Sequence, residues 1–270
     1  MSKKSGTEKM PALFVGHGSP MNAILDNDFT RRLERLSQEI PTPKAILVVS
    51  AHWLTEGTLV NCLEKPKTIY DFYGFPAELY RLKYPALGSP SFARLAAKSV
   101  KSTQVKCDYD WGLDHASWVV LRHMYPKAEV PVFEMSIDYS PYNEWRPKSL
   151  EYYYDLAKEL AVLREMGVLI VGSGNIVHNL GLIDFDMNAE PFDWAVAFDA
   201  KVKKNLVEHN YGELLNYLKM GREATLAVPT LDHYLPMVYI MALREEGERL
   251  DFVYEGFQHG SVSMRAFQIG

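Results

Sequence analysis

Three histidines of this sequence come after apolar runs that read as buried strands. His17 follows ALFVG, His52 ends AILVVSAH, and His178 follows VLIVG after a short glycine-containing segment. In open α/β sheets, ligands bind outside the carboxyl ends of the strands, so these imidazoles are predicted to converge. Neutral imidazoles are common ligands of Zn²⁺ and Fe²⁺. The pattern therefore predicts a divalent metal site.

Two further histidines stand in segments of a different kind. His233, in PTLDHYLP, is predicted to lie in the first turn of a helix and is a fourth candidate ligand. Its neighbour Asp232 is a weaker candidate, because consecutive helical residues point about 100° apart. His115, in WGLDHASW, is predicted to lie in a loop. It is either a general acid or base with a tuned pKa, or a structural residue tied to Asp114.

The sequence carries none of the local signatures of common catalytic sites. The histidine spacing matches no zinc motif such as HExxH, so a metal site here depends on the topology of the sheet. No G-x-S-x-G elbow surrounds a serine nucleophile. The glycines at 172 and 174 lack the rest of a dinucleotide-binding fingerprint.

Composition argues against several classes of partner. The 270 residues carry a net charge of −5 and no long basic run, which disfavours nucleic acid and anionic membranes. The first apolar run is too short for a signal peptide, and no stretch approaches transmembrane length. The two cysteines, Cys62 and Cys107, stand far apart. They are predicted to be unpaired, buried apolar groups in a cytoplasmic protein.

The order of elements indicates the fold class. Strands and helices alternate along the chain without a repeat or linker, which predicts a single α/β domain. Its central sheet is expected to be largely parallel or mixed and flanked by helices, with the metal site at the carboxyl ends of the strands. The domain covers residues 11–270, behind a flexible tail at 1–10. Strands are predicted near 12–16, 45–52, 131–137, 168–172, 252–255 and 262–267, and helices near 27–39, 90–101, 116–124, 143–166, 193–208, 211–220 and 232–245.

Several motifs together resemble a known family. The motifs are GHGSPMNAI, VVSAHW, DFYGFP, GLDHASW, VGSGNIVHN and PTLDHYLP. Their types, order and spacing are similar to those of the 4,5-DOPA extradiol dioxygenases. These enzymes belong to the class III ring-cleaving superfamily, with the protocatechuate 4,5-dioxygenase β subunit. The resemblance spans about residues 11–270 and implies an oxidoreductase that opens a small catechol ring with O₂.

The resemblance also implies roles for single residues. His17, His52 and His233 would be the metal ligands, and His178 would be a further ligand or an acid/base beside the metal. His115 would be an acid/base that faces the substrate. The implied cofactor is Fe²⁺, and Zn²⁺ would also suit these ligands. One departure matters: many class III enzymes complete a two-histidine, one-carboxylate set, whereas the third position here is a histidine.

Two other functions stay open at this point. The same scaffold would suit a zinc hydrolase in which His178 or His115 is the base for a metal-activated water. It would also suit a non-catalytic interaction protein similar to the Memo-type proteins. The sequence leaves the oligomeric state open. It also places no Arg or Lys for the carboxylate of DOPA, so a substrate finer than a small catechol rests on resemblance.

Overall fold

A mixed β-sheet forms the centre of the molecule. The computed structural model describes residues 9–139 and 148–270. Within these ranges, the strands are β1 Ala12–Gly16, β2 Ala45–Thr55, β3 Thr58–Asn61, β4 Val105–Asp108, β5 Val132–Asp138, β6 Val168–Gly174, β7 Leu250–Tyr254, β8 Phe257–Gln258, β9 Val262–Ser263 and β10 Ala266–Ile269. Eight of them form the central sheet, in the order β4-β3-β5-β2-β6-β1-β10-β7. β8 and β9 form a separate antiparallel pair.

The four central strands run in the same direction. β1 pairs with β6, β6 with β2, and β2 with β5, all in parallel. The flanking strands β10 and β3 run antiparallel to their central neighbours. β1 and the first halves of β2 and β6 are continuously apolar because both faces of the sheet are covered, whereas β5 also buries Glu134, Ser136 and Asp138. The predicted single α/β domain with a mixed sheet is confirmed, and the carboxyl ends of β1, β2 and β6 lie at one edge.

Helices cover both faces of the sheet. The helices are α1 Asp28–Glu39, α2 Pro90–Ser99, α3 His115–Met124, α4 Leu150–Lys158, α5 Val162–Glu165, α6 Asp193–Val207, α7 Tyr211–Leu215, α8 Arg222–Ala227 and α9 Leu235–Ala242, with 3₁₀ turns at Pro20–Ala23, Leu79–Arg81, Leu180–Leu182 and Tyr217–Met220. Along β1, Leu13 and Val15 pack on one side with residues of α1 and α3, while Ala12 and Phe14 pack on the other side with residues of α4 and α6 to α9. Within the described residues, no helix is both long and apolar enough to cross a membrane.

Several predicted boundaries were wrong for local reasons. The helix predicted at 143–166 is α4 and α5, separated by bonds of the i→i−3 type such as Leu160 N–H to Ala157 O (3.0 Å). Residues 140–147 lie outside the described ranges. The helix predicted at 211–220 continues beyond α7 only as a 3₁₀ turn. Strands β3 and β4 and helix α8 were missed, because four to six residues show too little periodicity.

Lys9 and Met10, the two described residues of the predicted tail, are held against the domain. Residues 1–8 lie outside the described ranges. Met10 is buried, and its N–H donates to the carbonyl oxygen of Arg164 (3.0 Å). The Lys9 ammonium contacts carboxylates of Glu245 (2.7 Å) and Glu248 (3.0 Å). Both residues therefore pack as part of the domain.

The prediction of unpaired cysteines was wrong. Cys62 and Cys107 form a disulfide, with their Cα atoms 5.5 Å apart. Cys62 directly follows β3, and Cys107 lies in β4, the parallel neighbour of β3. The pairing escaped the sequence because neither short strand was predicted, so nothing brought two cysteines 45 residues apart together.

The disulfide leads to a prediction about stability. Replacing both Cys62 and Cys107 by Ala removes a constraint on the unfolded chain and should lower the free energy of unfolding by about 2–4 kcal/mol. Urea denaturation without reductant measures this loss. Reductant should destabilise the original protein by a similar amount and leave the double variant unchanged. Two reactive thiols in denatured, unreduced protein would contradict the assignment.

Strand β6 passes very close to the segment around the start of α9. A Cβ atom on Gly174 would lie 2.3 Å from the carbonyl oxygen of His233, and one on Gly172 would lie 2.5 Å from that of Pro236. Both neighbours are backbone atoms, which cannot rotate away. The two glycines therefore allow the approach that brings His233 to the edge of the sheet.

This close approach predicts the effect of a methyl group. Gly174→Ala should lower the free energy of unfolding by about 1–3 kcal/mol, because the added atom overlaps the backbone. The matched control is Gly212→Ala in α7, where a Cβ meets nothing within 4 Å. That change should be neutral or stabilising by up to about 1 kcal/mol. Equal urea midpoints for the two variants would contradict the packing argument.

Candidate metal centre

Five histidines meet at the carboxyl edge of the sheet. The ligand nitrogens of His17, His52 and His115 all lie within 4.8 Å of one another. The ring of His233 has its centroid 5.3 Å from that of His17 and 4.9 Å from that of His52. The ring of His178 stacks on that of His233, with centroids 3.5 Å apart. The structure thus brings together every histidine selected from the sequence as a candidate.

The local backbone explains how the first two histidines reach this place. His17 directly follows β1 and is 2% exposed. Gly18 after it has φ +62°, and a Cβ there would lie 2.4 Å from the Met264 Sδ. The glycine therefore permits both the turn and the close packing. His52 lies where the register of β2 with β5 shifts, between Val49 and Leu54. Such irregularities re-aim side chains.

A serine fixes the ring of His17. The Ser173 hydroxyl donates to the carbonyl oxygen of Ala116 (2.7 Å), so its oxygen is free to accept from His17 Nδ1–H (3.1 Å). The proton of the neutral imidazole is then on Nδ1, an assignment from the hydrogen-bond network. The lone pair of His17 consequently lies on Nε2, the nitrogen nearest His52.

An aspartate fixes the ring of His233 in the same way. Its Nδ1–H donates to Asp232 Oδ2 at 2.6 Å. Among the described residues, no hydrogen-bond partner faces the buried Nε2 of His233. The sequence predicted His233 in the first turn of a helix. It lies instead in a turn just before α9. Asp232, which the sequence left as a weaker ligand candidate, orients the ring of His233.

A second aspartate, Asp71, serves two rings at once, and the sequence analysis missed it. Asp71 Oδ2 accepts from His115 Nδ1 (2.8 Å) and contacts His52 Nδ1 (3.2 Å), while its Oδ1 accepts from the His115 N–H (2.9 Å). Burial alone would raise the pKa of Asp71, but the hydrogen bonds from His115 hold that pKa below its usual value. The sequence signal for it was the DFYGFP motif, which begins with Asp71.

The carboxylate beside His115 in sequence is not its partner in space. The sequence predicted His115 in a loop, but it is the first residue of α3. Asp114 precedes it at the N-cap position. The Asp114 carboxyl accepts from the Ser50 hydroxyl (2.6 Å), and its N–H donates to Glu134 Oε1 (2.9 Å). Both carboxyls are fully buried. Burial and mutual repulsion raise the pKa of Glu134, and burial and the charge of Asp71 raise that of Asp114 to about 6.

The nitrogens of His17 and His52 test whether a metal fits. Their Nε2 atoms lie 3.2 Å apart. Each ring has an oxygen beside Nδ1, Ser173 Oγ for His17 and Asp71 Oδ2 for His52, which favours a proton on Nδ1 and a lone pair on Nε2 in both neutral rings. Two zinc ligands at about 2.0–2.1 Å and a tetrahedral angle lie about 3.3 Å apart. The spacing therefore fits two imidazoles on one cation. His115 also has a ligand nitrogen within 4.8 Å of theirs, and the unpaired Nε2 of His233 is a further candidate donor.

Burial favours the protonation state that a metal requires. It lowers the pKa values of His17, His52 and His178 well below their usual value, and the neighbouring imidazoles lower them further. These rings are neutral near pH 7 as a result. Neutral imidazoles bind divalent cations without first losing a proton.

An aromatic cluster borders the histidines. Phe72 meets the His115 ring edge-on, with centroids 5.5 Å apart. Phe72 also packs against Phe75, Tyr80 and Trp118. The DFYGFP segment thus contributes a packed aromatic cluster beside the candidate metal centre.

Comparisons with known proteins identify the family of the chain. The family profile described as the catalytic LigB subunit of aromatic ring-opening dioxygenase matches residues 10–264. A relative from Escherichia coli K12, named 4,5-DOPA dioxygenase extradiol, is 43% identical over 97% of this chain and 95% of its own length. A relative of the same name from Beta vulgaris is 36% identical, with 94% of both chains covered.

A solved structure shows the same architecture. The crystal structure of an uncharacterized protein from Escherichia coli K12 is 39% identical and superposes with a TM-score of 0.83. The match covers 97% of this chain and all of that chain. Sequence and fold therefore agree over nearly the full length. This chain belongs to the LigB family of aromatic ring-opening dioxygenases and is a ring-cleaving dioxygenase.

Proposed function

We propose that the protein is a metal-dependent extradiol dioxygenase that opens the ring of a small catechol with O₂, by 4,5-cleavage of DOPA or a similar compound. The observation that carries the proposal is the pair of His17 and His52 Nε2 atoms, 3.2 Å apart in a family of ring-opening enzymes. The names of the Escherichia coli and Beta vulgaris relatives support the choice of substrate.

His17, His52 and His233 are the proposed ligands. Each has Nδ1 held by a polar partner, so each can offer Nε2. His178, stacked on His233, is the candidate for a further ligand or for a second acid/base. A bound Fe²⁺ would hold the catechol oxygens and O₂ side by side and relay electrons between them, whereas Zn²⁺ would suit the same ligands without redox activity.

His115 is the proposed acid/base. Asp71 holds its Nδ1–H, so Nε2 is the atom that takes a proton from a catechol hydroxyl. The same nitrogen returns a proton as the ring opens. The ring edge of Phe72 lies against His115 and helps to exclude water. Cleavage outside the diol, between C4 and C5 of DOPA, yields a muconic semialdehyde that can cyclise.

The direct test is oxygen-dependent ring opening. Protein loaded anaerobically with Fe²⁺ and mixed with L-DOPA should form a yellow product only when air is admitted. Zinc-loaded protein is the matched control and should form none. Hydrolysis of a substrate other than a catechol in the absence of O₂ would instead support a zinc hydrolase. The absence of a ring-opened product from any of several catechols would contradict the proposal.

Single substitutions should separate ligands from the acid/base. His233→Ala and His17→Ala should lose both bound metal and turnover, because each removes a nitrogen donor. His115→Ala should keep stoichiometric metal and lose about 10²–10⁴-fold in kcat, the usual contribution of a general acid/base. Metal analysis and steady-state kinetics measure the two effects. Loss of metal from His115→Ala, or full metal and activity in His17→Ala, would overturn these roles.

A further inference from the structure

We infer that Asp71 is a positioning residue that holds a proposed metal ligand, His52, and the proposed acid/base, His115, with one carboxylate. The inference rests on the proposed metal centre for its functional consequence. Its structural part, the proton positions on the two rings, is independent of the reaction. Asp71 itself touches neither metal nor substrate in this scheme and acts through the two imidazoles.

Three contacts converge on this carboxylate. Oδ2 lies 2.8 Å from His115 Nδ1 and 3.2 Å from His52 Nδ1, and Oδ1 accepts from the His115 N–H at 2.9 Å. An ionised carboxylate only accepts hydrogen bonds, so the Nδ1 atom of His115 carries a proton. The Nδ1 atom of His52 makes an ion-pair contact with the same oxygen, and a lone pair facing the carboxylate would be repelled, which favours a proton there too. One carboxylate thus favours Nδ1–H on both rings and leaves a lone pair on each Nε2.

The segment that carries Asp71 is fixed to the helix that carries His115. The N–H of Ile69 donates to the carbonyl oxygen of Leu113 (2.8 Å), and the Ile69 carbonyl accepts from Trp118 Nε1 (2.8 Å). Trp118 belongs to α3, which His115 begins. Asp71 and His115 therefore form one preorganised unit. His52 comes to this unit from β2, on a different part of the sheet.

The other oriented rings differ from this arrangement. His17 has Ser173 as its partner, and His233 has Asp232, each serving a single ring. Asp71 alone among these partners links a ligand to the acid/base. A change at Asp71 should therefore alter metal affinity and proton transfer together, whereas a change at Ser173 or Asp232 alters one ring directly.

The variant Asp71→Asn tests this link with almost no change in shape. An amide offers one accepting oxygen and one donating NH₂ group. If the oxygen faces the two Nδ1–H groups, the NH₂ meets the His115 N–H, and in the opposite orientation the NH₂ meets both rings. Asn cannot accept all three donors in either orientation. Asp71→Glu, in contrast, keeps an accepting carboxylate one methylene further out.

The experiment uses the zinc-loaded full chain and ¹⁵N NMR of the imidazoles. The original protein should show hydrogen-bonded Nδ1–H signals for His17, His52, His115 and His233. Asp71→Asn should lose or shift those of His52 and His115 only. Competition with a chelator should show zinc affinity weakened by about 10–100-fold, as for other groups that orient metal-bound histidines. Asp71→Glu should recover part of that affinity.

The control is Asp186→Asn, which alters an exposed carboxylate that accepts a loop N–H, from Asn188 (2.9 Å). It should leave the spectra and zinc affinity unchanged. If Asp71→Asn fails to fold, two measurements still test the inference. These are the Nδ1–H signals of the original protein and the zinc affinity of Asp71→Glu, which should be weaker than that of the original protein. Unchanged signals and zinc affinity in Asp71→Asn would overturn the inference, and so would an Nε2–H tautomer at His115 in the original protein. Absence of zinc binding and ring opening in the original protein would instead contradict the proposed function.

Discussion

Two imidazole nitrogens, Nε2 of His17 and Nε2 of His52, face each other 3.2 Å apart at the centre of the site. With the proton of each neutral ring on Nδ1, both nitrogens present lone pairs, which repel unless a cation lies between them. Their outer nitrogens are occupied by Ser173 and Asp71, so neither ring can relieve the repulsion by changing tautomer without breaking an outer contact. Burial also disfavours the charged ring that a proton would create. A divalent cation satisfies all these constraints.

The fold imposes this arrangement through a few backbone features. Parallel pairing of β1 and β2 with β6 brings their carboxyl ends to one edge. His52 lies where the register of β2 with β5 shifts, and the glycines of β6 leave room for the backbone around His233. Each feature is needed at a particular position. The placement of the histidines at the carboxyl edge of the sheet therefore depends on packing that extends well beyond the histidines themselves.

Much of this could be predicted from sequence because it depends on strand ends. His17, His52 and His178 follow apolar runs, and the parallel sheet brings them together without any further information. The orienting partner Asp71 could not be found this way. It lies 44 residues from His115, and a hydrogen bond over that separation leaves no periodic pattern. The same limit explains why the sequence paired His115 with Asp114, its neighbour in the chain. It also explains the missed disulfide, which joins strands too short to recognise.

A divalent cation should bind between His17 and His52. Crystals soaked with Zn²⁺ and measured on both sides of the zinc absorption edge would show it, because the anomalous signal locates the ion without reference to activity. We expect one strong peak within bonding distance of the Nε2 atoms of His17, His52 and His233. A peak elsewhere, or no peak among these three nitrogens at full zinc occupancy in solution, would contradict it.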